Sequence, residues 1–411
     1  MIAYEKFTLD NGLTVIVHED HSTPLVALNI LYKVGARDEQ IDKTGFAHLF
    51  EHLMFGGSIN IPSYDEPLQI AGGENNAFTN NDITNYYLTI PSQNIETGFW
   101  LESDRMLSLA FSEKSLEVQR SVVIEEFKQR YLNQPYGDVW LLMRPLAYKV
   151  HPYRWATIGK ELAHIEDATL EDVKGFFKKW YAPNNAILSV SGDCTLEQIK
   201  SLCKKWFEPI PMADVPARTL PVEPVQTETR IQEVEKEVPN SHIYMAWHCC
   251  SRIDKDFYAT DMLSDLLSRG KSSRLHQQLV KEKNIFTEIH AYMSGDLDKS
   301  LFFIEGKLVD SITMEDAEKS IWEELEKIKT EIDERELTKI KHKVEAYLEF
   351  SEMGIANKAL NLAYYELLGD ASECNRQAEY YNRVTSDQIM QVAKNILTKE
   401  NCSILRYHSK K

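Results

Sequence analysis

The N-terminal part of the chain changes between two hydrophobic periods. Between residues 4 and 35, apolar and polar positions alternate as in β-strands, and the Asn-Gly pair at 11–12 marks a turn between two of them. Apolar residues then recur at helical spacing in three segments, 44–56, 94–108 and 113–131. An extended segment at 76–91 separates the first two, and a strand at 186–192 and a further helix follow. This pattern predicts a mixed unit of strands and helices.

A proline-rich stretch divides the chain near its middle. Five prolines lie between residues 209 and 224, and this density excludes regular secondary structure. A chain of 411 residues is also long for one core. We therefore predict two domains, 1–212 and 230–411, joined by a linker at 213–229.

The second half repeats part of the first. HLFEHLMFGG at 48–57 aligns with DMLSDLLSRG at 261–270, and NNAILSV at 184–190 aligns with NCSILRY at 401–407. The two alignments have nearly the same offset, which indicates an internal duplication. The fold class expected is α+β, with two homologous α/β sandwich domains, each a mixed, largely antiparallel sheet covered by helices.

Composition narrows the classes of function. There are 63 acidic residues against 46 Lys and Arg, and this net charge of −17 argues against a nucleic-acid partner. It is typical of a solvated acidic surface, and any part of it that lines a cavity would favour basic ligands. No apolar run reaches the ~18 residues of a membrane span, and the N-terminus lacks a signal-peptide pattern. The six cysteines form no CxxC pair, so we expect a cytoplasmic protein without disulfides.

Two histidines and a glutamate interrupt the apolar helix at 44–56. His48 and His52 are four residues apart, so a helix places them on one face, with Glu51 beside them. Imidazole pairs at this spacing suit zinc, whereas the alternative is a pair of buried histidines bonded to the backbone. In the second copy the three positions hold Asp, Ser and Asp within an unchanged apolar frame. That difference weakens a purely structural role for the histidines.

A zinc site needs a further ligand, and the helix at 113–131 offers two carboxylates. Glu126 has Val122 and Val123 one turn before it, which places it deeper on the apolar stripe than Glu125. A buried carboxylate is costly unless it is paired or bound to metal. The alternative, an ordinary solvated pair of glutamates, remains open on the residues alone.

The whole chain resembles the pitrilysin-like zinc peptidases, the inverted-motif family of M16 type. Insulin-degrading enzyme and the mitochondrial processing peptidase belong to this family, and the similarity here is to its short two-domain bacterial members. The similar segments are HLFEH at 48–52, GGENNAFTNNDITNYY at 72–87, RSVVIEEF at 120–127, HPYRWATIG at 151–159 and KWYAPNNAILSVSGD at 179–193.

The resemblance implies one zinc ion per chain, held by His48, His52 and Glu126, the last of which stands six residues after Arg120. Glu51 is then the general base that takes a proton from water and passes it to the leaving amine. The family usually has a glutamate directly before the arginine, where this chain has Gln119. That departure leaves the ligands intact but is expected to weaken the orientation of the site and its zinc affinity.

The resemblance also implies how a peptide is bound. Asn76, Ala77 and Phe78 would belong to an edge strand that receives the substrate as an added strand, where a plain sheet strand is the alternative. Main-chain hydrogen bonds would then hold the peptide with little sequence preference.

A second departure concerns the C-terminal half. Self-sufficient family members place an Arg and, seven residues later, a Tyr where this chain has Val280 and Thr287. We therefore expect a zinc endopeptidase subunit that needs a homologous partner to supply the pair. The alternatives are a non-catalytic scaffold of the same fold, and a self-sufficient homodimer that uses Arg274 and Tyr244.

Overall fold

The computed structural model describes residues 1–410, and they divide into two compact units. Unit 1 comprises Met1–Gln129, Trp155–Leu220 and Leu348–Arg376, and unit 2 comprises Arg130–Arg154, Pro221–Tyr347 and Gln377–Lys411. Neither unit is continuous in sequence, since residues 130–154 group with the second unit and residues 348–376 with the first. The predicted domains, 1–212 and 230–411, were each continuous, so they differ from the two units at residues 130–154 and 348–376. Residues 211–227 contain no helix or strand, as expected for the proline-rich stretch.

The strands are β1 (Glu5–Thr8), β2 (Thr14–Glu19), β3 (Leu25–Tyr32), β4 (Glu74–Thr79), β5 (Thr84–Pro91), β6 (Ala186–Gly192), β7 (Arg230–Lys236), β8 (His242–His248), β9 (Phe286–Met293), β10 (Leu301–Leu308) and β11 (Cys402–Ser409). The α-helices are α1 (Phe46–Leu53), α2 (Asp65–Ile70), α3 (Ile95–Leu107), α4 (Glu113–Phe127), α5 (Val139–Ala147), α6 (Ala163–Glu166), α7 (Leu170–Trp180), α8 (Leu196–Trp206), α9 (Phe257–Ser268), α10 (Met314–Ile328), α11 (Glu334–Ser351), α12 (Ile355–Leu367), α13 (Gln377–Arg383) and α14 (Ser386–Ile396). Short 3-10 helices occupy Ala36–Asp38, Ser92–Asn94, Pro152–Arg154, Pro183–Asn185 and Ala371–Arg376, and π-helical turns occupy Lys128–Leu132 and His276–Glu282.

Unit 1 is built on a six-stranded sheet of order β1-β2-β6-β3-β5-β4. β2 and β6 run parallel, and every other neighbouring pair is antiparallel. Because side chains alternate between faces, β3 sends Ala27 and Leu31 to the face covered by α12. The opposite face carries α1, α3 and α8. β4 is an edge strand that lies beside α1.

Unit 2 repeats this topology. Its five-stranded sheet has the order β7-β11-β8-β10-β9, with β7 and β11 parallel and the remaining pairs antiparallel. Counted from its first strand, this is the order that β2 to β6 follow in unit 1. α5 packs on one face, and α9, α10 and α14 lie on the other. The predicted α+β fold with two homologous units is confirmed.

All six cysteines are free thiols. Among residues 1–410, none of the helices combines the length and the apolar composition that a bilayer crossing requires.

Candidate metal centre

α1 brings three polar side chains to one partly exposed face. Phe46, Ala47, Leu49, Phe50 and Leu53 are buried, while His48, Glu51 and His52 are half-buried on the remaining face of the helix. Phe50 stacks on the aromatic rings of α7 and the residue after it, Phe176, Phe177 and Tyr181. This packing fixes the rotation of α1 about its axis and so determines which way the histidines point.

The start of α1 is held from outside the helix. Its N-cap residue is Gly45, at φ +89°. A Cβ on this residue would lie 2.7 Å from the carbonyl oxygen of Ile158. Glycine offers no capping side chain, and the carboxylate of Glu39 takes that role. Its two oxygens accept the backbone N–H groups of Gly45 at 2.9 Å and Ala47 at 2.8 Å. Burial, opposed by these bonds, raises the pKa of Glu39 to about 8.

α4 supplies the third group. Oε2 of Glu126 lies 3.6 Å from Nε2 of His48 and 3.3 Å from Nε2 of His52. The side chain of Glu126 is 18% exposed, against 61% for Glu125, which pairs with Lys128 at 2.9 Å. α4 is anchored by Arg120, whose guanidinium donates to the carbonyl oxygens of Ile165 and Ala168.

Glu126 was preferred to Glu125 because of Val122 and Val123, and the part of that reasoning that concerns Val122 was wrong. Val122 is 45% exposed, so it does not belong to the buried stripe of α4. The buried residues of this helix are Leu116, Val123 and Phe127. Glu126 is shielded because it follows Val123 by three residues, not because of Val122.

The distances between the three groups can be compared with the separations that a zinc ion requires between its ligand atoms. One ligand atom each from His48, His52 and Glu126 lies within 4.8 Å of the other two. Zn–N and Zn–O distances of about 2.0–2.1 Å at tetrahedral angles separate neighbouring ligand atoms by about 3.3–3.4 Å. The distances of 3.3 and 3.6 Å to Glu126 agree with that separation. The residues present therefore fit a zinc ion, and two imidazoles with one carboxylate form a donor set that zinc prefers.

Glu51 lies on the same helix as the two histidines, and its charge acts on two buried tyrosines. Burial raises the pKa values of Tyr86 and Tyr181, and the negative charge of Glu51 adds to both shifts. Both phenols therefore stay protonated at neutral pH. The hydroxyl of Tyr86 donates to the carbonyl oxygen of Phe50, the residue before Glu51, at 3.2 Å.

The predicted substrate strand is an edge strand. β4 pairs with β5, and no other strand among residues 1–410 pairs with it. Asn76 is exposed and Ala77 half-buried. Phe78 packs against the cluster beneath α12, so its backbone rather than its side chain is at the edge.

Gln119 lies near the end of α1. Its Nε2 atom is 3.8 Å from the point where a Cβ would stand on Gly56.

Unit 2 has no comparable metal cluster among its described residues. In α9, the carboxylate of Asp261 accepts the Tyr381 hydroxyl at 2.6 Å, and Asp265 pairs with Arg269 at 2.6 Å. Burial raises the pKa of Asp265 to about 6. Asp261 and Asp265, which correspond to His48 and His52, are thus each bonded to another side chain of unit 2.

The four positions discussed for an Arg/Tyr pair all lie in unit 2. Thr287 is exposed on β9 and donates to the carbonyl oxygen of Lys307 at 3.2 Å. Val280 lies in the π-helical turn His276–Glu282. Arg274 pairs with Glu336 at 2.7 Å, and Tyr244 is 7% exposed in the unit's core.

Comparison with known proteins decides the family. Two family models match, "Insulinase (Peptidase family M16)" over residues 14–139 and "Peptidase M16 inactive domain" over residues 167–344. The zinc protease PqqE of Helicobacter pylori is 34% identical over 345 residues, 82% of this chain and 78% of that protein. The chain belongs to peptidase family M16. Two of its relatives are named zinc proteases, PqqE of Helicobacter pylori and the uncharacterized zinc protease YmxG of Bacillus subtilis.

Further matches of this M16 chain extend the comparison. A crystal structure of a protease from Helicobacter pylori superposes with a TM-score of 0.93 at 30% identity, covering 99% of this chain and 100% of that one. A probable mitochondrial-processing peptidase subunit beta of Arabidopsis thaliana is 24% identical over 187 residues, 45% of this chain and 35% of that protein.

Sequence reasoning missed two residues near this centre, Glu39 and Tyr86. Tyr86 bonds to Phe50, 36 residues earlier in the chain, so no local spacing marks it. A glycine at the cap position of α1, with an acidic residue shortly before it, was the available signal for Glu39.

Proposed function

We propose that this M16 chain is a zinc-dependent endopeptidase subunit. The observation that carries the proposal is the convergence of His48, His52 and Glu126, from two helices, at separations suited to one zinc ion. These three residues would hold one zinc per chain. A zinc ion bound there supplies a Lewis acid that polarises a peptide carbonyl and lowers the pKa of water at the site.

The remaining roles fall to the chain's own residues. Glu51 stands one residue before His52 on the same face of α1. It accepts the proton of the attacking water and returns it to the leaving amine, so hydrolysis needs no acyl-enzyme. β4 lies beside α1 with its outer edge unpaired by any described strand, so an extended peptide can add to it through main-chain hydrogen bonds at Asn76 and Ala77.

We further propose that a homologous partner subunit completes the active site. Val280 and Thr287 stand where self-sufficient relatives are expected to have Arg and Tyr, and neither offers a guanidinium or a phenol. Arg274 is paired with Glu336 and Tyr244 is buried in the core of unit 2, which disfavours a self-sufficient homodimer that uses them. One relative is named as a probable mitochondrial-processing peptidase subunit beta, and a subunit is one component of a larger enzyme.

The experiment is to purify the chain from its native source, identify a homologous chain that co-purifies, and measure hydrolysis of a quenched fluorogenic peptide by each chain alone and mixed. One lost oxyanion donor costs about 10²–10³ in rate, so mixing should raise hydrolysis by at least that factor. Changing the partner's Tyr to Phe should remove most of the gain. A parallel mixture that contains Glu51→Gln controls for contaminating protease.

Full hydrolysis by this chain alone would contradict the dependence on a partner. The second candidate function is a non-catalytic scaffold, favoured by the inactive-domain model that matches residues 167–344. Absence of hydrolysis by the zinc-loaded chain with its co-purifying partner would support that candidate.

A further inference from the structure

Tyr86 connects the edge strand to the helix that carries the metal centre. Its backbone on β5 pairs with Ala77 of β4. Its side chain is fully buried and points to the α1 face, where the hydroxyl donates to the carbonyl oxygen of Phe50 at 3.2 Å. That oxygen also accepts the helical N–H of Met54. One residue thus contacts both the strand that would receive a peptide and the backbone next to Glu51.

A buried ion pair holds the ring of Tyr86 in place. The guanidinium carbon of Arg105 lies 4.4 Å from the centre of the Tyr86 ring and 4.5 Å from that of Tyr64. Glu102 accepts two hydrogen bonds from Arg105, at 2.6 and 2.8 Å, and one from the Tyr64 hydroxyl. Glu102 and Arg105 are 1% and 2% exposed. Because a buried pair tolerates little displacement of either charge, the Tyr86 ring has a defined position.

The opposite face of β5 is fixed by a second polar contact. Asn85 and Asn29 of β3 exchange side-chain amide bonds at 2.8 and 2.9 Å, and both residues are fully buried. A slip of β5 by one residue would break this pair and move Tyr86 to the wrong face of the sheet. β5 is therefore locked on both faces, and β4 takes its register from β5.

We propose that Tyr86 is a positioning residue, which fixes the register between β4 and α1 and thereby selects the peptide bond that is presented to Glu51. This inference rests on the proposed peptidase function. The Tyr86 hydroxyl donates to the Phe50 carbonyl oxygen, so Tyr86 acts through that carbonyl and through the strand pairing.

The test compares Tyr86→Phe with Tyr32→Phe. Tyr32 on β3 is an equally buried tyrosine whose ring meets that of Tyr86 edge-on at 5.8 Å. Its hydroxyl has no hydrogen-bond partner among the described residues, so its removal is a matched control. Both variants are measured with zinc and the co-purifying partner on one defined peptide, with cleavage products identified by mass spectrometry.

Tyr86→Phe should lower kcat about five- to tenfold, the range that the free energy of one hydrogen bond allows, with KM within about twofold and zinc content unchanged. Cleavage should spread to neighbouring peptide bonds. Tyr32→Phe should retain the kcat and the cleavage position of the unmodified chain. Equal kcat and one shared cleavage position in the two variants would overturn the positioning role.

A second measurement separates this inference from the proposed function. If the unmodified chain and its partner hydrolyse no peptide, the peptidase proposal fails, and amide hydrogen exchange of residues 46–54 then decides. Exchange faster in Tyr86→Phe than in Tyr32→Phe supports the contact with α1, whereas equal exchange in the two variants overturns it.

Discussion

Replacing Glu126 with Gln should remove most of the zinc, whereas the same change at Glu125 should not. Glu126 is shielded, and its Oε2 atom lies 3.3 and 3.6 Å from the two imidazoles. Glu125 is 61% exposed and pairs with Lys128. The two substitutions are chemically identical and affect adjacent residues of one helix, so any difference in zinc retention reports their positions.

The expected size of the difference follows from the number of ligands. Structural zinc sites with four protein ligands bind with about 10–16 kcal/mol, or roughly 3 kcal/mol per ligand. An amide oxygen is a far weaker ligand than a carboxylate, so Glu126→Gln should lose most of one share. That is a rise of about a hundredfold in the dissociation constant for zinc. Glu125→Gln removes one surface ion pair, worth less than about 1 kcal/mol in stability and without effect on zinc.

The assay is competition with a chromogenic zinc chelator, together with metal analysis after dialysis and circular dichroism to verify folding. About one zinc per chain is expected for the unmodified protein and for Glu125→Gln, because residues 1–410 contain one cluster of three candidate ligands. Equal zinc affinity in the two variants would show that Glu126 is not a ligand. Loss of zinc by Glu125→Gln but not by Glu126→Gln would show that Glu125 is the ligand.

Three further predictions concern residues around this centre. Glu51→Gln should keep its zinc and its fold but lose about 10²–10⁴ in hydrolysis, because an amide cannot accept the proton; turnover near that of the unmodified chain would exclude the general-base role. Gln119→Glu should tighten zinc binding about tenfold, measured by the same chelator competition, and an unchanged constant would show that the glutamine costs nothing. The pKa of Glu39 is raised from 4.5 to about 8 by burial, so the folded state binds its proton more tightly than the unfolded chain does. The unfolding free energy should therefore fall as pH rises from about 5 to 8, by no more than about 1.4 kcal/mol per pH unit, and urea titrations of Glu39→Gln should show a flatter pH dependence.

The sequence allowed the elements of the centre to be predicted because its signals are local. The spacing of His48 and His52 lies within one helical turn, and the shielding of Glu126 depends on Val123 three residues away. Val122 was misplaced because apolar character alone does not reveal which side of a helix meets the core. The edge position of β4 came from the family resemblance, and the sheet order confirms it.

The remaining features depend on contacts between distant segments. The hydroxyl of Tyr86 reaches a carbonyl 36 residues earlier in the chain. An amphipathic helix shows that it covers an apolar surface but does not show which one. For that reason neither the place of α12 in unit 1 nor that of α5 in unit 2 could be read from hydrophobic spacing.

The late position of α12 in the chain has a consequence for biosynthesis. This helix covers one face of the unit 1 sheet, where it packs with Ile16, Leu31 and Ile187, yet the last strand of that sheet ends at Gly192. At about 5–20 residues per second, the ribosome needs roughly 8–30 s to add the more than 160 residues between that strand and α12. During this interval the three candidate metal ligands have been synthesised while the sheet lacks its cover. The nascent chain should therefore be a substrate for chaperones until residue 367 has left the ribosome.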